Sequence, residues 1–384
     1  MNKFKLTSFI TLFLINIILI ILSVHCSEDE EPAPNPPGGL SFIISPQIFE
    51  PSSTFQIELG DLDDDGDIDA VFSNMGENNC SVWLNDGTGY FIDSGQKLTE
   101  WGHGVGVGDL DEDGDLDLFI ACASYSHKSK IYFNDGTGNF TDSGQDLGDS
   151  LLSGNGVALI DINSDHYTDV HVTYYEQPDR IYLNNGNGVF DDSGLTIPEH
   201  VTFGFLDSDS TIDIFIKEHT KGYKTMLNDG QGHFSDCWQM DDNNVVYGSV
   251  GLCDLDGDGD EDALVCNGDH TGLFPSKVLL NDGNGYFSDT GQELGITIWG
   301  KVEFGDLDSD QDIDVFVSNL GMPNQVWINN GNGLFSDSGL KLHGDGNNNT
   351  SHAPLADLDN DGDLDIFVAN FVDGGNQIWF NETE

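Results

Sequence analysis

The stretch Asp109-Leu110-Asp111-Glu112-Asp113-Gly114-Asp115-Leu116-Asp117 decides the fold. Carboxylates stand at loop positions 1, 3, 5 and 9, and a glycine at 6. Alternate side chains of a tight loop converge on one point, and the glycine lets the backbone turn sharply. Hard oxygen ligands at this spacing suit a calcium ion, which takes about six to eight oxygens in flexible geometry. Position 7 offers its carbonyl, so its side chain is free to vary: Asp115 here, Tyr167 and Thr211 in other copies. An EF-hand would need a bidentate Glu at position 12 and flanking helices. The better copies have Phe72, Ile120, Val172, Val265, Val317 and Val368 there, so the chain leaves the loop directly into a buried strand.

Copies of the loop begin at Asp61, Asp109, Asp161, Phe205, Asp254, Asp306 and Asp357, at intervals of 48, 52, 44, 49, 52 and 51 residues. Such a period marks a solenoid, a propeller or an array. Six copies keep the ligands: Asp61, Asp63, Asp65 and Asp69; Asp109, Asp111, Asp113 and Asp117; Asp161, Asn163, Asp165 and Asp169; Asp254, Asp256, Asp258 and Asp262; Asp306, Asp308, Asp310 and Asp314; Asp357, Asp359, Asp361 and Asp365. Four carboxylates so close repel one another without a cation. About six structural calcium ions are therefore expected, supplying much of the folding free energy. His166 and Gln311 replace the glycine in two of these loops, where weaker binding is expected. The fourth copy has Phe205 at position 1 and Ser210 at position 6, keeps only Asp207, Asp209 and Asp213, and is expected to be empty.

Each repeat reads as four strands. In the second, Val105-Gly106-Val107-Gly108 precedes the Asp loop and Leu118-Phe119-Ile120-Ala121 follows it. Lys130-Ile131-Tyr132-Phe133 is a third strand. Asn134-Asp135-Gly136 is a hairpin turn with glycine for positive φ, and Phe140-Thr141-Asp142-Ser143-Gly144 is a short fourth strand. Four antiparallel strands repeated about an axis make a propeller blade. The turn recurs at Asn85, Asn184, Asn228, Asn281 and Asn329, and the seventh copy stops at Asn381, before its fourth strand. The missing strand is expected at the other end, with 41–45 pairing 377–381 and leaving no open sheet edge. The prediction is an all-β, seven-bladed β-propeller with calcium-binding Asp loops, closed by an N-terminal strand.

The Asp loops, each followed by Trp/Tyr-x-Asn-(Asp/Asn)-Gly and Phe-x-Asp-Ser-Gly, resemble the FG-GAP/VCBS repeat proteins, a fold shared with the N-terminal propeller of integrin α-chains. The resemblance covers residues 40–384. It implies calcium and the propeller but not a function, because the fold serves adhesion receptors, lectins and domains attached to lyases and phospholipases.

Residues 1–26 read as a targeting segment: Lys3 and Lys5, then an apolar run from Phe9 to Val24, then Cys26. Cys26 followed by Ser27-Glu28-Asp29-Glu30-Glu31 resembles the acidic start of surface-exposed bacterial lipoproteins, which implies lipidation of Cys26. His25 is not the small residue expected before such a cysteine, so a lipoprotein, a plainly cleaved signal and a retained signal anchor all stay open. Each places the remainder outside the cytosol, extracellular or at the cell surface. Residues 27–39 are an acidic, Pro-rich linker, and 40–384 the propeller. Five cysteines remain, Cys80, Cys122, Cys237, Cys253 and Cys266. They show no CxxC or zinc spacing. Cys266 is expected roughly opposite Val250, which disfavours a bond to Cys253.

The formal charge is −56. Six calcium ions would leave about −44, a surface that repels nucleic acid and anionic lipid. Membrane contact is expected only through the N-terminal segment or a lipid on Cys26.

The Asp loops join strands one and two and the Asn-Asp-Gly turns join strands three and four, so both lie on one face. The opposite face carries the variable segments. Its inter-blade segments supply Trp101, His103, His200, Tyr247, Trp299, Lys301 and His352, a rim suited to stacking on sugar rings or gripping acidic side chains. No HExxH, GxSxG, Walker loop or GxGxxG is present, and catalytic residues are assigned to none. The expected function is a non-enzymatic binding or adhesion module for an extracellular protein or glycan. The alternative is a polysaccharide lyase or glycosidase acting from the funnel. It requires Lys301, His352 and His103 to meet rather than scatter around the rim.

Overall fold

A computed structural model describes residues 39–383 except 50–52, 77, 125–126, 149–153, 176, 196, 199, 247, 269–273, 343–348 and 372–374. The targeting segment, Cys26, most of the linker and Tyr247 lie outside the described residues. Those described form strands and turns, with no α-helix.

The first strand, β1 (Phe42–Ile44), is set aside for the end of the chain. Blade 1 follows as β2 (Thr54–Gly60), β3 (Asp69–Asn74), β4 (Ser81–Asn85) and β5 (Phe91–Asp93), an antiparallel meander in that order. Blades 2 to 6 repeat the meander. They open on β6 (Gly102–Gly108), β10 (Gly154–Ile160), β14 (Val201–Gly204), β18 (Val250–Cys253) and β22 (Lys301–Gly305). Neighbouring opening strands contact one another from blade to blade, except β10 and β14, and so line the central axis. The second strands are apolar and fully buried, as in Asp117–Cys122.

Blade 7 is split. Pro354 has no N–H to give a ladder, and its inner strand is two pieces, β26 (Thr350–His352) and β27 (Leu355–Ala356), both paired with β28 (Asp365–Asn370). β28 pairs β29 (Gln377–Asn381), and β29 pairs β1, with Phe42 opposite Asn381 and Ile44 opposite Trp379. The chain therefore closes its ring with its own N-terminal strand. Phe49, just after β1, is fully buried against Phe72, Trp83, Phe91 and Phe367, its ring centroid 5.1 Å from both Trp83 and Phe367. It locks the closing blade to blade 1.

The core is a series of apolar seams between neighbouring blades. Phe119, Val172 and Tyr182 fill the seam of blades 2 and 3; Phe215, Tyr223 and Leu279 that of blades 4 and 5. The seam between blades 3 and 4 is the thinnest, built on Ile160, Ile162, Ile181 and Ile197. All five cysteines in the described residues are free. In β18, Val250 faces Val265 rather than Cys266, one residue off the expected register. Cys266 instead donates its N–H to the Ser249 carbonyl, and Cys253 faces Asp262.

Candidate metal loops and an acid–base cluster at the axis

Each Asp loop is held by its ninth residue. Asp69 is fully buried, and its two carboxylate oxygens accept the N–H of Leu62 at 2.9 Å and of Asn85 at 2.7 Å. Asp117, Asp169, Asp213, Asp262, Asp314 and Asp365 repeat both bonds. The ninth residue thus ties the loop to the hairpin turn of its own blade, even in the fourth copy. Burial pushes Asp69, Asp117, Asp169, Asp262, Asp314 and Asp365 up to about 7, and Asp213 to about 6, against the pull of the two backbone donors.

The first and third positions converge beside it. Carboxylate oxygens of Asp61, Asp63 and Asp69 lie within 4.8 Å of one another. Four further groups do the same: Asp109, Asp111 and Asp117; Asp254, Asp256 and Asp262; Asp306, Asp308 and Asp314; Asp357, Asp359 and Asp361. Within them, buried Oδ1 atoms of Asp61, Asp63, Asp111, Asp256, Asp308 and Asp359 have no hydrogen-bond partner. A buried unpartnered carboxylate oxygen is costly, and a cation at the convergence point removes that cost. Burial, then the carboxylates at positions 5 and 1, raise Asp63 and Asp111 above the usual range. The donor set, all hard oxygens, fits calcium. Asp65, Asp113, Asp258 and Asp310 instead accept backbone N–H bonds within their own loops. In the third loop Asn163 Nδ2 donates to Asp165 Oδ2 at 2.9 Å. In the fourth, Phe205 is exposed and its N–H donates to Glu261 Oε2, while Asp207 forms a β-bridge with Asn284 of the next blade.

The turn asparagines do work that the sequence reading missed. Asn134 Nδ2 donates to the Leu116 carbonyl of its own blade and to the Leu62 carbonyl of the preceding one. Asn184, Asn228, Asn281, Asn329 and Asn381 repeat the second bond to Leu110, Ile162, Leu206, Leu255 and Leu307, and Asn85 reaches back to Leu358. The result is a closed ring of seven bonds on the Asp-loop face.

The residues expected on the opposite rim divide. Trp101, His200 and Trp299 sit just before inner strands, each with positive φ. Trp101 and Trp299 are half-buried and His200 is exposed. His103, Lys301 and His352 do not stand on an open rim. His103 and His352 are only 7% and 8% exposed, and all three reach groups of other blades, His103 the Asn155 carbonyl, Lys301 the Phe55 ring and His352 the Ile57 carbonyl.

There His352 bridges blades. Its Nδ1 lies 2.9 Å from the Ile57 carbonyl and 3.4 Å from the Ile57 N–H. Its Nε2 lies 3.0 Å from Glu303 Oε1. Lys301 Nζ stands 5.2 Å from the Phe55 ring centroid, and that ring lies tilted by 35° against His103, centroids 3.4 Å apart. Gln56 Nε2 donates to Glu58 Oε1 at 2.5 Å. Burial raises Glu58 against the pull of His352, and burial lowers Lys301 against the pull of Glu303 and Glu58. Burial also lowers His103 to about 3, so its imidazole is neutral.

Gln56, Phe55, Glu58 and Glu303 were not singled out from the sequence, although a signal exists. Five residues before each Asp loop stand Gln56, Lys301 and His352 in blades 1, 6 and 7, but Gly104 and Gly156 in blades 2 and 3. Three residues before stand Glu58 and Glu303, but Gly106 and Ala158. The glycines allow β6 and β10 to touch: a Cβ on Gly104 would lie 2.9 Å from Gly156 Cα.

Comparison with known proteins agrees with this architecture. The model of the FG-GAP-like repeat matches residues 61–120, 109–172, 254–317 and 306–368. Among solved structures, BBS1N in complex with ARL6DN, soaked with lead, aligns with TM-score 0.57 and 12% identity over 90% of this chain and 97% of that one. The mercury-soaked crystal of the same complex aligns with TM-score 0.58 and 11% identity over the same shares. No curated protein matches by sequence.

Proposed function

The chain belongs to the FG-GAP-like repeat family, and from that premise we propose that it is a calcium-stabilised binding propeller working outside the cytosol. Its ligand is an extracellular protein or a glycan, as for an adhesion module. Segment 1–26 supplies the export signal, and Cys26 a point for lipid attachment.

The observation that carries the binding role is the clustering of Lys301, Glu303, His352 and Glu58 around the axis of blades 6, 7 and 1. Structural closure alone needs apolar seams and backbone bonds. Half-buried charges are instead worth keeping where a ligand uses them. The likeness to BBS1N, crystallised with ARL6DN, supports a protein partner. Calcium is the cation that the oxygen-only loops favour.

A second reading rests on the same cluster. Lys301 and His103 flank the Phe55 ring and His352 pairs with Glu303, groups that a lyase or glycosidase could draw on together with Glu58. In that case Glu303 Oε1 and His352 Nε2, 3.0 Å apart, are the pair placed for acid–base work on a polysaccharide.

The test is a glycan and protein array probed with the full chain, in calcium and in chelator. Calcium-dependent binding lost in Lys301→Ala and Glu303→Gln, with no product released, supports the binding module. Unsaturated or reducing ends released from a polysaccharide support the enzyme. Binding unchanged in both variants removes the cluster from the ligand site.

A further inference from the structure

We propose that the recess between blades 3 and 4 is a site for a small, uncharged, largely apolar molecule carrying a hydroxyl group. The recess, about 460 Å³, lies between β10 and β14, with β11 (Asp169–Tyr174) behind. That volume is in the range of small-molecule sites, which are mostly apolar with a few placed polar groups. Ala158, Ile160, Val201 and Phe203 supply the apolar wall, and His171 and Thr173 the polar groups, while Thr202 Oγ1 donates to the Val250 carbonyl of blade 5.

The seven repeats act as one another's controls. Two residues after the ninth loop position, the second strand carries Val71, Phe119, Phe215, Leu264, Phe316 and Phe367 in six blades. Each is fully buried core. Blade 3 alone places a histidine there, His171, directly across the ladder from Ala158. Gly156 and Ala158 project almost nothing toward blade 4, so the histidine faces a void where other seams are filled. A second departure accompanies it. Five residues before the turn asparagine stands Asp179, a carboxylate where blades 2 and 5 have Ser129 and Ser276.

His171 Nε2 and Asp179 Oδ2 lie 3.3 Å apart, with side chains only 3% and 4% exposed. Neither atom completes a hydrogen bond. Asp179 Oδ1 accepts the Tyr174 N–H at 3.2 Å, and Phe203 meets the His171 ring edge-on at 5.0 Å. Among the described residues Nδ1 has no hydrogen-bond partner. Asp179 stands beside Nε2, which leaves Nδ1 as the ring nitrogen open to a ligand. A neutral hydroxyl satisfies it, and Thr173 offers a partner for the hydroxyl oxygen. No cation lines the recess and the chain carries −56, so an anionic ligand is disfavoured.

The experiment uses the full chain in calcium with phenol as probe and benzene as its analogue without a hydroxyl. The readout is the imidazole ¹⁵N signal of His171, assigned by its loss on substitution. Phenol should shift that signal saturably and bind about tenfold more tightly than benzene, the effect of one hydrogen bond to a buried acceptor. His171→Phe combined with Asp179→Ser restores residues found in sister blades; it should fold and lose phenol binding. Ala158→Phe, which fills the recess and leaves the pair intact, should lose it too. No shift with phenol, equal affinity for benzene, or undiminished phenol binding in Ala158→Phe would each overturn the proposal.

Discussion

Asn85 Nδ2 donates to the carbonyl of Leu358 at 2.8 Å, across 273 residues of chain. The bond joins the first blade to the last, and its six equivalents join every other neighbouring pair. The same amide nitrogen also donates to Ile68 of its own blade at 3.1 Å. One side chain thus satisfies two carbonyls that the tight Asp loops leave without ladder partners.

Replacing Asn85 by Ala strands both carbonyls in a site that water reaches poorly. The expected loss is about 1–3 kcal/mol of unfolding free energy, the cost of a buried unsatisfied group. Chemical denaturation in calcium measures it. A loss below about 0.5 kcal/mol, within the range of surface substitutions, would mean that the ring of amides is incidental.

Metal removal should be the largest perturbation. With chelator, the melting temperature should fall steeply, and ion analysis of the untreated protein should give about six calcium ions per chain. Asp63→Asn should remove one ion and leave the others. Phe205→Asp with Ser210→Gly should add one, because Asp207, Asp209 and Asp213 are already in place. A count that ignores both changes would refute the assignment of these loops as metal sites.

The pH dependence of the metal-free protein should have an unusual sign. Asp69, Asp117, Asp169, Asp262, Asp314 and Asp365 sit at about 7 in the folded chain, above the ordinary carboxylate range. The folded state therefore holds protons that the unfolded state has released. Stability from these groups is fully present below about pH 4 and is lost as pH rises through 7. His103, lowered to about 3, opposes this below its unfolded value of about 6.5. Thermal melts in chelator should thus show lower stability at pH 8 than at pH 6.5, a window in which His103 contributes little. Calcium should abolish the difference. Equal melting points in chelator would show that burial does not hold these carboxyls protonated.

Removing residues 39–45 takes β1 from the closing blade and frees the edge of β29. The shortened chain should unfold at lower denaturant and aggregate through that edge. Ala in place of Phe49 should cost about 3–5 kcal/mol, as for other fully buried phenylalanines, because it empties the seam that packs blade 7 on blade 1. If the truncated chain melts like the parent, closure does not depend on the strand.

The Asp loops and Asn-Asp-Gly turns recur in register seven and six times over, and local spacing of this kind dictates local geometry. Carboxylates at positions 1, 3 and 9 converge because the loop is short, and the alternation of loop and turn commits four strands to each blade. Blade number, closure by 41–45 and the common face of loops and turns were all legible for that reason. What surrounds the axis was not. Lys301, His352 and Glu58 are separated by up to 294 residues, and only the winding of the ring brings them together. His171 stands beside Gly156 and Ala158 of its own blade, too small to cover it, and meets Phe203 of the next blade only through the winding of the ring. Repetition writes the scaffold locally, residue by residue. The exceptions to it acquire meaning only from what stands on the next blade, and that is a property of packing.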